Sequence, residues 1–435
     1  MTSFALWLVS LGGRVTVLIL STTSVIVLAR ALGPAGRGEY FLFVTLVVVL
    51  GAVADLGISQ SALVFTGRGE ASLLSIHTIA VRLILVIGVA VGAFAGFVVG
   101  LAGDVLLPGM PREWSLAALG LVPASMYANV WTGLMIGARR VVEVSAVSLI
   151  MTALALAANI IFVATTRDPA VAIAIFAVVL AVQTATMFAI AARMIGRTHH
   201  LQTRPQATMG AVVMFGARGY PGTVSSLIWS RAAVFVLNAT HGPTAVGIFS
   251  VAQQLAEKTL LPIQAMQDVI FSRMARLPQV EATATLNRFL RVTLAATVPA
   301  IAVLLLVSPL LVTVLFSEAF RGSVGPFRLL LIGSAVQTVP MLLASYFLGQ
   351  LRRPLLLSFL AWLNAAINLV LLVALVPVGA EIGAAAAIVA TQIIGTFIVF
   401  ALYLRMAHTN LLSAVALRSD DLALVRQQAL RLIRR

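Results

Sequence analysis

Apolar residues in this chain come in long unbroken runs, of which Phe41–Gly57, Ile301–Phe316 and Leu355–Val376 are examples. Runs near twenty residues match a bilayer core of about 30 Å at about 1.5 Å rise per helical residue. Cutting the chain at charged and turn-forming residues predicts about twelve helices. The first six cover 6–29, 41–65, 75–103, 114–136, 141–165 and 170–192. The second six cover 208–238, 245–271, 290–316, 326–349, 355–377 and 383–404. This pattern predicts an all-α polytopic membrane protein. The stretch Leu6–Ala29 follows no basic cluster and precedes no clear small-residue cleavage site, so it reads as a retained first span.

Composition agrees with the pattern. Of 435 residues, 61% are hydrophobic and only 10% charged, with a mean hydropathy of +1.07. A soluble domain carries about 25% charged residues, which excludes an ordinary cytosolic enzyme. The net charge of +15 does not point to nucleic acid, because the bases are scattered between apolar runs and not gathered on one patch. Zero cysteines exclude disulfides, thiolate metal sites and cysteine nucleophiles. The five histidines form no metal-binding spacing, so no metal and no cofactor are expected.

The placement of those bases orients the helices. Of 29 bases, 18 fall on the side of the N-terminus, six on the other side, and five deep inside spans, with Arg291 and Arg328 at span edges counted with the loops they border. Acidic residues give no compensating bias. Cytoplasmic loops carry the excess of arginine and lysine, so both termini are predicted to be cytoplasmic.

The two halves also resemble each other. Gly33-Pro34-x-x-x-Gly38-x-Tyr40 recurs 209 residues later as Gly242-Pro243-x-x-x-Gly247-x-Phe249. The same offset relates Asn159 to Asn368 and Gln183 to Gln392. This predicts a six-helix lobe over 1–200, a second over 201–404 and a tail over 405–435. An even helix count gives both lobes one orientation, with a cavity expected between them near the midplane.

Ala29–Tyr40, followed by Ala54-Asp55-Leu56-Gly57, resembles the N-terminal signature of polysaccharide flippases. So do Gly242–Leu277 and Gly379-x-Glu381-Ile382-Gly383-Ala384-Ala385. These flippases belong to the multidrug/oligosaccharidyl-lipid/polysaccharide (MOP) exporter superfamily. The resemblance implies a MATE-like fold of two pseudo-symmetric lobes and a transporter in place of an enzyme. The implied activity moves a polyprenyl-pyrophosphate-linked oligosaccharide from the inner to the outer leaflet of a bacterial plasma membrane. Implied partners are the lipid-linked glycan, membrane lipids, and a glycosyltransferase or polymerase of the same pathway. Ala233 stands where relatives often carry Asp, and Ser272 where many have Pro, so those roles are not carried over.

Eight charged groups fall at least three residues inside predicted spans: Arg14, Asp55, Arg82, Arg218, Arg231, Glu257, Lys258 and Asp268. A charge at the bilayer centre costs about 2.5–3.5 kcal/mol on insertion scales, so retained ones tend to line polar cavities. Gln254, Glu257, Gln264 and Asp268 recur at helical spacing and predict one polar stripe, bordered by Lys258. Arg14, Arg218, Arg231, Gln254, Glu257 and Lys258 are therefore candidate cavity residues, with Glu257 and Asp268 candidates for ion coupling. Two readings of the stripe stay open, a substrate path and a salt-bridge network holding the lobes together. Pro221, clustered with Gly216, Gly219 and Gly222 beside Arg218, predicts either a kink that gates or close helix packing. Arg82 lies near enough to its helix end to snorkel, and the resemblance implies a positioning role for Asp55.

Deep inside the spans, five cations outnumber three anions, which suits an anionic cargo. Arginine binds pyrophosphate through paired hydrogen bonds. The alternatives are an ion-coupled multidrug exporter of the same fold, whose cationic cargo needs an acidic cavity, and a lipid II flippase, which generally carries fourteen helices. A membrane-embedded glycosyltransferase needs a catalytic acid or paired metal-binding aspartates on a loop, and the short loops show neither. In the tail, Ser419 precedes Asp420 and Asp421, and Leu422, Val425, Ala429, Leu432 and Ile433 form an apolar stripe among arginines. That predicts a surface helix on the anionic inner leaflet.

Overall fold

The computed structural model describes residues 3–198, 207–274, 277–351 and 353–416, and their regular structure is entirely helical. The order is α1 (Ser3–Asp55), α2 (Ile58–Arg68), α3 (Leu73–Leu83), α4 (Val89–Leu106), α5 (Arg112–Gly120), α6 (Val122–Gly137), α7 (Val141–Ala158), α8 (Ala164–Thr166) and α9 (Pro169–Thr198). Then come α10 (Met209–Thr259), α11 (Leu261–Met274), α12 (Gln279–Phe316), α13 (Val324–Gly349), α14 (Pro354–Met406) and α15 (Leu411–Val415). Short π-helical turns at Ile84–Gly88 and Asn159–Val163 join α3 to α4 and α7 to α8.

Nine stretches among the described residues are long and apolar enough to cross a membrane. Three of them, in α1, α10 and α14, are each broken at one residue. Counting both limbs of each broken helix gives twelve spans. The chain is a multi-pass membrane protein.

The breaks correct the predicted loops. Residues 30–40 were expected to be a connection, yet helix runs to Leu32 and resumes at Pro34. Gly33 alone departs, at φ 67° and ψ −178°, a region open essentially to glycine. Proline disfavours helical geometry in the residue before it and is itself well suited to the first helical position. Gly242, before Pro243, repeats the geometry at φ 76° and ψ −175°. The third break falls at Ala380, whose φ of 46° is unusual for a residue with a β-carbon.

The chain divides into two compact units, Met1–Ile248 and Phe249–Arg435. In the first, α2 packs along α6, and α1 packs against α6, α7 and α9. Trp131, Met126 and Ile58 lie at the centre of its core, while Leu28, Val163 and Ala172 form a smaller cluster that Tyr40 joins. In the second, α13 packs against α11, α12 and α14 around Leu342, Leu343, Tyr346, Phe347 and Tyr403. Packing groups the seventh predicted span, 208–238, with the first unit, whereas the repeat boundary at residue 200 is a feature of the sequence. Outward faces are apolar, as lipid contact requires: Val378, Leu355 and Leu306 are 80–90% exposed.

Candidate functional site

The two Gly-Pro motifs meet in the first unit. A β-carbon on Gly38 would overlap the Pro243 carbonyl, and one on Gly247 would overlap the Pro34 carbonyl. The contact is reciprocal, backbone on backbone, so the glycines permit an approach that any side chain would block. Gly109, at φ 77°, brings the loop after α4 against the Pro243 ring, and Asn238 Nδ2 donates to the Pro108 carbonyl at 3.1 Å.

Nineteen residues further along, α1 gives way to α2 at a second special point. Leu56 and Gly57 are both left-handed, at φ 46° and 78°. Asp55 is buried there; its carboxylate accepts from Ser59 Oγ at 2.7 Å and from the Ser59 amide at 3.3 Å. An acid at the start of a helix satisfies its free amides and its positive end, so Asp55 fixes the bend. The first limb of α10 lies alongside. Ser61 Oγ donates to the Val212 carbonyl at 2.7 Å, Phe65 meets Phe215 edge-on, and the Tyr220 hydroxyl donates to the Val53 carbonyl. Gly216 sits against Gly57 with no room for a β-carbon on either.

This docking sets the direction of Arg218. Gly216 and Tyr220 share one face of α10 and turn it toward α1 and α2, so Arg218, two residues from each, faces away and is exposed. The backbone stays helical through Pro221, and the break in α10 falls at Gly242 instead. Arg231 is half-buried, near the buried Ala233 and Val234, and Arg82 is exposed toward the end of α3.

The second limb of α10 carries the predicted polar stripe into the second unit. Glu257 is exposed and accepts from Gln253 Nε2 at 3.0 Å. Gln253, which the stripe did not include, is the buried partner, and Gln254 keeps a buried Nε2 with no hydrogen-bond partner among the described residues. Lys258 is half-buried. The helix is interrupted at Leu260, two residues before Pro262, so Gln264 lies on the next helix, α11, and the stripe crosses a turn. Arg14 and Asp268 lie on α1 and α11, and their side chains are outside those described, as is the tail helix expected after Ser419.

Two further clusters were not foreseen. In the second unit, Tyr403 OH donates to Asn287 Oδ1 at 2.6 Å, Asn287 Nδ2 donates to Thr409 Oγ1 at 3.2 Å, and buried Arg291 donates to the Ser413 carbonyl. Asn410 caps α15 by accepting from the Ser413 amide at 2.9 Å. Together they clasp α15 onto α12. In the first unit, Arg37, which the predicted spans leave in the connection over 30–40, is fully buried. The matched asparagines of the repeat are buried too, Asn159 donating to Ser24 Oγ at 3.1 Å and Asn368 accepting from Thr391.

Comparison with known proteins places this geometry. The sequence model of the family described as "Polysaccharide biosynthesis protein" matches residues 27–325. A search of curated proteins finds no match. Among solved structures, the lipid II flippase MurJ in an inward closed conformation aligns with a TM-score of 0.73 at 13% identity, over 94% of this chain and 88% of that one. An inward-facing multidrug resistance MATE family transporter of the MOP superfamily aligns at 0.66 and 15% identity, over 89% of this chain and 94% of that one. A MOP superfamily transporter from Pyrococcus furiosus aligns at 0.61 and 14%, over 92% and 94%. Likeness at such identities speaks for the fold. With broken helices, twelve spans and a family match over more than half its length, the chain belongs to the polysaccharide biosynthesis protein family and has the fold of MOP-superfamily transporters.

Proposed function

We propose that this protein is a flippase that moves polyprenyl-pyrophosphate-linked oligosaccharide from the inner to the outer leaflet of a bacterial plasma membrane, with both termini in the cytoplasm. The fold serves multidrug exporters and a lipid II flippase alike, so the cargo has to be read from charge. The observation that carries the reading is the cationic character of α10: Arg218 and Arg231 on its first limb and Lys258 on its second, against Glu257 alone. A cationic drug would be repelled by such a lining, whereas a pyrophosphate is attracted to it. Arg14, Arg218, Arg231, Gln254, Glu257 and Lys258 form the substrate path in this proposal, with Glu257 or Asp268 available for a coupling ion. Asp55 sets the bend between α1 and α2, and Arg82 reaches the headgroups.

Outward movement of an anion across an inside-negative membrane gains about 2.3 kcal/mol per charge per 100 mV. The arginines are anchored to helices, so most of the translocated charge belongs to the cargo, and membrane potential alone biases export. The test is flipping of lipid-linked oligosaccharide in proteoliposomes with a potassium–valinomycin potential and no pH or sodium gradient. Flipping that follows the potential supports the proposal. Flipping that ignores the potential and tracks an imposed ion gradient replaces it with an ion-coupled antiporter.

A further inference from the structure

Arg37 is a cation that the function above does not use. It is 2% exposed, and its guanidinium lies 5.5 Å from the Tyr40 ring and 5.8 Å from the Phe41 ring. Among the described residues, its Nε is buried with no hydrogen-bond partner and no carboxylate pairs with it. Glu39 does not serve; its charged neighbour is Asp168. A ring face offsets only a small part of the cost of taking a guanidinium out of water, so an unpaired buried arginine calls for an anion.

Its position says where that anion would sit. Arg37 is the fourth residue of the helical limb that starts at Pro34. Helical side chains lean toward the N-terminus, which carries the guanidinium back toward the break at Gly33 and the positive end of a 22-residue limb. Tyr40 and Phe41, three and four residues on, lean back over it in the same way. On either side, Gly36 packs against Pro169 and Gly38 against Pro243, so the site lies at the crossing of the two Gly-Pro motifs.

We propose that Arg37 anchors a binding site for a phosphate-class oxyanion at this crossing, its planar fork engaging two oxygens and the helix start supplying the field. The site is separate from the α10 cations and does not depend on which glycan the protein carries. The phosphate comes either from an anionic lipid headgroup or from the pyrophosphate of the cargo, and the second source alone rests on the flippase reading.

The experiment is thermal melting of the full-length protein in nanodiscs, comparing wild type with Arg37→Met and Arg37→Lys. In phosphatidylcholine discs, inorganic pyrophosphate is expected to raise the wild-type Tm in a saturable way. Arg37→Met is expected to melt at the same or higher temperature without anion, because it removes an unpaired charge, and to lose at least tenfold in apparent affinity. Arg37→Lys keeps the charge without the fork and is expected to bind several-fold more weakly. Discs containing phosphatidylglycerol separate the sources: a raised Tm that abolishes the pyrophosphate response assigns the site to lipid, and an unchanged response assigns it to pyrophosphate. Full responses retained by Arg37→Met overturn the site. If that variant fails to assemble, an Arg37→Lys titration identical to wild type overturns it. A wild type that responds to neither anion also overturns it and leaves the flippase reading, tested by transport, intact.

Discussion

Gly38 and Gly247 hold reciprocal positions, each pressed on the carbonyl of the proline that opens the other's motif. The repeat seen in sequence is thus also a physical contact, in which the two copies of Gly-Pro-x-x-x-Gly are each other's packing partners. Adding one methyl group at either glycine forces backbone against backbone, and overpacking costs about 1–3 kcal/mol. Gly38→Ala and Gly247→Ala are each expected to lower the Tm in detergent, and the double variant to lose less than the sum because both disturb one contact. Gly219→Ala, with open space around it, is the control and is expected to melt at or slightly above wild type. Equal melting of all three would show that the crossing tolerates a side chain.

Export should depend on charge along α10. Arg218→Gln or Glu257→Gln is expected to abolish surface polysaccharide while leaving the amount of protein in the membrane unchanged, since both side chains are exposed. Arg231→Gln and Lys258→Gln are expected to reduce it. Normal export by all four would remove the charge argument.

Orientation is open to direct chemistry because the chain has no cysteine. Cysteines at the exposed positions His241 and Arg139 are expected to react with a membrane-impermeant maleimide from opposite faces, Arg139 from the cytoplasm. Reaction of both from one face would break the twelve-span assignment.

The clasp on α15 can be opened one bond at a time. Tyr403→Phe leaves the buried Asn287 carbonyl oxygen without its donor, which costs about 1–3 kcal/mol. Ala414 is completely buried under α12, so a cysteine there is expected to resist thiol reagents in the intact clasp. In the Tyr403→Phe background its labelling should speed up by about tenfold per 1.4 kcal/mol lost. Unchanged labelling would mean the tyrosine does not hold the clasp shut.

Helix number was legible in sequence because bilayer thickness forces span length, and hydropathy reports span length directly. The breaks were not legible in detail. The motif around Gly33 has the polar, glycine-rich look of an eleven-residue loop, yet one proline and one glycine suffice to turn a helix when a second motif packs on it. Arg37 was misplaced for the same reason: once 34–40 is helical, its side chain has a face, and that face is interior. Along α10 the period identified Glu257, but the partner it bonds is buried Gln253, because hydropathy cannot tell a lipid-facing helix side from one facing protein. The stripe through Asp268 assumed an unbroken helix, and the turn at Leu260 ahead of Pro262 ended that assumption.

The clasp has a practical consequence for measurement. Because α15 is tied to α12 by Arg291 and to α14 through Asn287 and Tyr403, the end of α15 keeps a fixed heading within the second unit. A rigid reporter fused directly after Ala416 would turn with that unit as a pointer turns with a dial. Polarised fluorescence from such a fusion would then read the unit's rotation in a working membrane without any label on the transport machinery itself.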